Sequence, residues 1–156
     1  MAKFEIRGLD DMMQALNALE VEEVAAKMLE ESVPILEQEV KKEVSRHKDT
    51  GDMYESIGST GARRNQRGYY ICVRPTGYAS AKKWRNARTK GGKRAGKKVR
   101  VRNMEKMVYL EYGTSKQRAT PVLSKATRRA EKDVISKMQE VFNREVDGKW
   151  QYLKKS

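Results

Sequence analysis

Apolar residues at Leu29, Val33, Leu36, Val40 and Val44 fall in steps of three and four, one stripe along a helix with Glu and Lys opposite. The same spacing appears earlier, at Leu9, Met12, Met13, Leu16 and Leu19. Before it, Phe4 and Ile6 alternate with charged neighbours as a short edge strand over residues 3–7, which Gly8 ends. Asp10 or Asp11 can then cap the first helix by accepting from its free N–H groups. Pro34 lies inside the second stretch and deletes the amide bond to Glu30, so the pattern predicts two helices restarting near Ser32, or one long bent one, ending near Arg46–His47. A last stripe, Leu123, Ala126, Ala130, Val134, Met138, Phe142 and Val146, predicts a C-terminal helix. Thr120-Pro121 starts it, with Thr as cap and Pro at the first helical position, and Gly148 stops it. Residues 149–156 are then a frayed tail, onto which Trp150 and Tyr152 can pack back.

Between the helices the period changes to two. Tyr69, Ile71 and Val73 alternate with Tyr70, Cys72 and Arg74, bounded by Gly68 and Pro75, and this predicts a strand with Cys72 as a small core residue. An earlier strand over residues 56–62 pairs with it through a hairpin around Arg63–Arg67. A turn over residues 47–53 precedes both, where Asp52 and Glu55 have the spacing of a capping box for a short helical turn. Residues 76–98 show no period and predict a long mobile basic loop, after which Val99 and Val101 resume a strand. An apolar-rich run from Met107 to Tyr112 ends at Gly113-Thr114. The fold class is α+β: a long N-terminal amphipathic helix, kinked or split near Pro34, a small antiparallel sheet and a C-terminal helix. One domain covers residues 1–148, with the flexible basic loop at about 76–98.

At 156 residues the chain is long enough for one core without metal or disulfide staples, although its apolar content is only 38%. Its lone cysteine points to a reducing compartment. The first residues lack the apolar core of a secretory signal, and no apolar run approaches the ~20 residues of a membrane span. No membrane partner is expected. The net charge of +13 is unevenly divided: residues 1–60 carry −7 and residues 61–156 carry +20. That asymmetry predicts an acidic face and a basic face for different partners.

The residue inventory argues against catalysis. One His and one Cys cannot build a metal site, and a Cys72–His47 nucleophilic pair requires the fold to join them. His47 reads as a cation at a helix end. The glycines at 91, 92 and 96 lack the flanking strand, Ser/Thr and helix of a phosphate-binding loop. No catalytic residue, metal ligand or cofactor is assigned. What stands out is electrostatic: between Glu55 and Glu105 there is no acidic residue. Arg63, Arg64, Arg67 and Arg74 are followed by Lys82, Lys83, Trp84, Arg85, Arg88, Lys90, Lys93, Arg94, Lys97, Lys98, Arg100 and Arg102. Tyr69, Tyr70 and Tyr78 are interleaved, the mixture that nucleic-acid surfaces use, and the segment over residues 63–102 is a candidate contact for double-stranded DNA or for an acidic protein ring.

Two segments carry a family resemblance. The first is Thr50-Gly51-Asp52-Met53-Tyr54-Glu55-Ser56-Ile57. The second is Val108-Tyr109-Leu110-Glu111-Tyr112-Gly113-Thr114, followed by Ala119-Thr120-Pro121-Val122-Leu123-Ser124-Lys125-Ala126. In this order they resemble the signatures of minor structural proteins of long-tailed, double-stranded DNA bacteriophages: the neck, head–tail joining and tail-completion proteins. Thr50, Gly51, Ser56, Ile57, Glu111, Tyr112, Gly113, Thr114, Pro121, Leu123 and Ala126 are the matching positions. The chain departs from that pattern in a longer basic insert, about residues 79–101, and in Val122 where members have Phe. The resemblance implies a small sheet packed by helices and a homo-oligomeric ring, most commonly a hexamer, at the top of the tail. It implies other neck and tail proteins as partners, a place in the virion after assembly in the bacterial host cytoplasm, and no catalysis. The alternative reading is a basic nucleic-acid-binding module.

Overall fold

The computed structural model describes residues 13, 20–47, 51–79, 84–86 and 98–155. The strand over residues 3–7 and most of the first apolar stripe therefore lie outside the described residues. The architecture is α+β, and no helix among the described residues is long and apolar enough to cross a membrane.

Helix α1 spans Val21–Ser45, with Glu22 and Glu23 in the first turn and Lys42 in the last, as the helix dipole favours. It runs unbroken through Pro34, so the restart near Ser32 does not occur. The exposed proline removes one N–H, and the turns on either side have enough packed surface to hold the helix together. Two side-chain ladders reinforce its second half, Lys41–Glu37 at 2.7 Å and Lys42–Glu39 at 2.9 Å.

A four-residue helix, α2 (Asp52–Glu55), follows. Its N-cap is Gly51, at φ +83°, and no side chain caps it. Asp52 sits one position too late for the expected capping box, because the left-handed turn that only glycine adopts cheaply has already set the entry.

The hairpin forms as two short ladders. Strand β1 (Ile57–Ser59) pairs antiparallel with β4 (Val73–Pro75), and β2 (Arg63–Asn65) with β3 (Gly68–Tyr70). Arg63 is thus in a strand, and the turn closes where Asn65 Oδ1 accepts from the Arg67 N–H at 2.8 Å. Between the ladders the Thr60 N–H donates to the Cys72 carbonyl, and the Cys72 N–H returns to Thr60 Oγ1. The expected alternation survives: Tyr69, Ile71 and Val73 are half-buried while Tyr70, Cys72 and Arg74 are exposed. Cys72 is consequently on the outward face and is not a core residue.

Within residues 76–98, expected to be loop throughout, β5 (Trp84–Asn86) pairs antiparallel with β6 (Lys98–Arg100). Helix α3 (Asn103–Tyr112) takes up the apolar run at Met107–Tyr112, and α4 (Val122–Lys155) completes the chain. Gly148 does not stop α4, which continues to Lys155, so the expected tail is helical backbone. A lone glycine weakens a helix by about 1 kcal/mol, which the long packed helix overcomes.

Helices α1 and α4 lie antiparallel. Lys27 pairs with Glu145 at 3.1 Å, Glu31 with Arg144, and Glu43 with Arg129. Small residues at Ala126 and Ala130 let the helices approach, and Val40, Val44, Met53, Ile57, Met107 and Val122 meet there as the core. Each such Val, Ile or Met contributes about 1.5–3 kcal/mol by leaving water. The expected α4 stripe holds at Ala126 and Ala130, which are buried, and at Leu123, Val134, Met138 and Val146, which are half-buried; toward its far end Val141 is fully buried and Phe142 faces outward instead.

Candidate functional site

The two motif segments share the core, where Met53 and Ile57 of the first meet Val122 and Ala126 of the second, and a polar knot ties each end of α3. Asn103 is the first hub. Its Nδ2 lies 2.8 Å from the Thr76 carbonyl, 3.1 Å from Ser56 Oγ and 3.3 Å from the Asp52 carbonyl, and its backbone N–H donates to Gly77 at 3.2 Å. It therefore joins α2, the end of the hairpin and α3, although its buried Oδ1 has no hydrogen-bond partner. Ser56 gives its carbonyl to the Thr76 N–H and its hydroxyl to Met53, and Ile57 is buried in the core. A shallow depression of about 410 Å³ opens beside them, lined by Gly51, Asp52, Ser56, Thr76, Gly77 and Tyr78 among others.

Glu111 is the second hub. Buried at the end of α3, it accepts from the Leu123 N–H at 2.7 Å and the Ser124 N–H at 3.1 Å, and also from the Ser124 hydroxyl. These are orphan donors of the first turn of α4. The cap of α4 is thus a carboxylate from another helix, where sequence placed the Thr120 side chain. Pro121 stands just before the helix, its carbonyl accepting from the Lys125 N–H, and the Thr120 N–H donates to Leu110. Gly113, at φ +74°, carries the chain over this junction, and Thr114 closes a tight turn with Gln117. Leu123 packs on the core and Ala126 lies within it. Tyr112 points the other way and is 78% exposed.

The basic segment is only partly placed. Lys82, Lys83, Arg88, Lys90, Lys93, Arg94, Lys97 and the motif residue Thr50 lie outside the described residues, and Trp84, Arg85 and Lys98 are placed by their backbone. The register sets Trp84 opposite Arg100 and Asn86 opposite Lys98, with Tyr78 bridged to Arg102. The described residues between Tyr78 and Arg102 thus pair as a two-stranded arm beside the Asn103 knot. At its foot Tyr78 carries two guanidinium groups, Arg100 at 5.3 Å and Arg102 at 5.9 Å from the ring centre. Arg100 also donates to the Ala79 carbonyl at 2.8 Å.

Part of the charge asymmetry is consumed within the fold. Arg64, from the basic half, pairs with Glu22 and stacks on Tyr69 at 5.6 Å. Arg129 and Arg144 likewise answer Glu43 and Glu31. Glu43 is 3% exposed, so its pairing matters most: an unanswered buried carboxylate is far costlier than an exposed one. Acidic and basic halves therefore meet along the α1–α4 seam as well as facing outward.

The seam has a pH consequence. The hydrogen bond from the Arg144 guanidinium holds the Glu31 carboxyl below the usual carboxylate range; desolvation opposes it, and the charge of Arg144 adds a smaller push in the same direction. A carboxylate depressed in the folded state adds stability above its unfolded pKa of about 4.3, and that contribution is lost as pH falls through the lower folded value. NMR titration of the Glu31 carboxyl is expected to show this depression, and Arg144→Ala to move the midpoint upward. An unmoved midpoint would exclude the pair.

Among the described residues no three His, Cys, Asp or Glu side chains are grouped to hold a metal, and Cys72 and His47 are not hydrogen-bonded to each other. Sequence reasoning missed Asn103 and the capping role of Glu111, both of which act on residues distant along the chain. No family model, curated protein or solved structure matches the chain.

Proposed function

We propose that this chain is a non-enzymatic structural protein of a long-tailed phage neck, acting in head–tail joining and tail completion. In this reading it is built into the virion from the host cytoplasm, as a subunit of a homo-oligomeric, hexameric ring among other neck and tail proteins. The observation that supports it is the reach of Glu111 onto the first turn of α4. The two halves of the second segment work here as one physical unit: the Glu-Tyr-Gly-Thr run supplies both the cap and the crossing for the helix that follows. Around that unit most motif residues serve the fold, while Tyr112 is turned to solvent. A scaffold that turns an aromatic such as Tyr112 outward suits a docking part better than a reaction centre.

The Arg100–Tyr78–Arg102 foot favours a second reading, contact of the arm with duplex DNA. Electron microscopy of a lysate from the parent phage lacking this gene separates the two. Packaged heads and tails lying unjoined are expected. Normal infectious particles would sink the neck reading. If the arm grips DNA, affinity falls with salt at a log–log slope of about −0.9 per neutralised phosphate, and Arg100→Ala with Arg102→Ala reduces that slope.

A further inference from the structure

Between Glu111 and Glu131 the chain carries no acidic residue and five cations: Lys116, Arg118, Lys125, Arg128 and Arg129. Arg129 is held by Glu43; the other four are exposed. Lys125, Arg128 and Lys132 recur in steps of three and four on the face of α4 turned away from buried Ala126 and Ala130. Lys116 and Arg118 lie in the loop that delivers the chain to this helix. Beside them Tyr112, with Val108 one turn earlier on α3, is the most exposed large apolar side chain described. An outward tyrosine on a basic surface offers a partner one aromatic anchor with a charged rim. A phosphate at the α4 N-terminus is disfavoured, since Glu111 already takes the Leu123 and Ser124 N–H groups.

Toward the other end of the α1–α4 pair the outer face of α1 is acidic, beside a hairpin whose Arg64 is taken by Glu22 and whose Arg63 and Arg67 are exposed. Glu20, Glu23 and Glu30 are exposed, while the neighbouring cations Lys27 and Arg144 are held by Glu145 and Glu31; exposed Asp147 and Lys149 offset each other. Lys27 to Glu43, and equally Arg129 to Glu145, is a run of about 24 Å along a helix. That is about three Debye lengths at physiological salt, where one is about 8 Å, so the two ends act on a partner as separate charges.

We propose that the basic end of one copy, Lys116, Arg118, Lys125 and Arg128 with Tyr112, seats the acidic face of a second copy, Glu23 and Glu30 of α1 with Glu20 at its N-cap. The two surfaces differ, so the contact is heterologous, and each added copy leaves one end of each sign free to propagate or close the assembly. The inference rests on the reading above only in taking self-assembly as the work of the chain, and it names surfaces that reading leaves open.

Sedimentation velocity on the full chain tests it, with the double variants Lys125→Glu/Arg128→Glu and Glu23→Lys/Glu30→Lys. All four side chains are exposed, so both variants are expected to keep the wild-type circular dichroism spectrum and melting point. The wild type should associate at about 0.1 M salt and come apart near 1 M, where the Debye length shrinks to about 3 Å. Each variant alone should associate at least about tenfold more weakly, a loss of about 1.4 kcal/mol. Mixed together they should associate again, because each retains one intact end and the reversed ends also match. A monomeric wild type at low salt, a variant that associates as well as the wild type, or a mixture that stays apart would each overturn the proposal. So would a basic-end variant that loses duplex DNA binding and keeps self-association. A phage that assembles without the gene removes the neck reading and leaves this association measurable. Association through other surfaces does the reverse.

Discussion

Glu111→Ala is expected to lower the unfolding free energy by about 2–4 kcal/mol, more than an ordinary surface cap. The substitution removes an N-cap, typically ~1 kcal/mol, and also leaves the part-buried N–H groups of Leu123 and Ser124 without their acceptor, at up to about 1–3 kcal/mol each. Glu111 is 8% exposed and the Leu123 N–H donates to it at 2.7 Å, so water cannot readily replace the carboxylate. At this chain length each kcal/mol shifts the melting temperature by about 2–4 °C, which thermal denaturation resolves easily. Glu111→Gln retains an acceptor oxygen and should lose less than half as much. Ser124→Ala, which forfeits only the hydroxyl contact, should lose least. A Glu111→Ala protein as stable as the wild type would mean that the helix start is capped in some other way.

Gly113→Ala is expected to be worse, at least about 3 kcal/mol. A Cβ there would sit 2.7 Å from the Ala119 nitrogen and 2.8 Å from the Gln117 carbonyl oxygen, both backbone atoms that cannot swing aside. The residue also holds φ +74° with ψ −176°, a region essentially reserved for glycine that costs another residue about 1–3 kcal/mol by itself. The same added methyl at Gly148 should do the opposite. That glycine lies in α4 with nothing within 4 Å of the position, so alanine should stabilise the helix by about 0.5–1 kcal/mol. Paired chemical denaturation curves decide it: equal effects at the two sites would show that the crossing at Gly113 is looser than its geometry. Glu111→Ala and Gly113→Ala act on one knot, so their effects should not add.

The long helices were readable because a 3.6-residue period repeated over many turns outweighs one proline or one glycine. The same reasoning went astray where a single residue of phase decides burial, as at Val141 and Phe142. Cys72 was misplaced because its identity suggested the core, while its parity in the strand put it outside. Helix α3 was hidden by its shortness: Met104, Met107 and Leu110 face the core, but ten residues of mixed apolar character fit a strand almost as well. Asn103 and Glu111 could not be read locally at all. Each is a polar side chain whose partners lie elsewhere in sequence, in the case of Asn103 as far away as Asp52. Of the basic segment, the sequence supplied the charge and the structure supplied the pairing of its feet.

The α1–α4 seam joins residues that are very far apart in order of synthesis. Arg129 is 86 positions from Glu43, and Glu145 is 118 from Lys27. At ~5–20 residues added per second, α1 leaves the ribosome roughly 5–20 s before its partner exists. Throughout that interval Val40 and Val44 have no α4 to pack against. The nascent chain should therefore pass through a window in which chaperone capture or aggregation competes with folding, and the window should close only when the last helix is made.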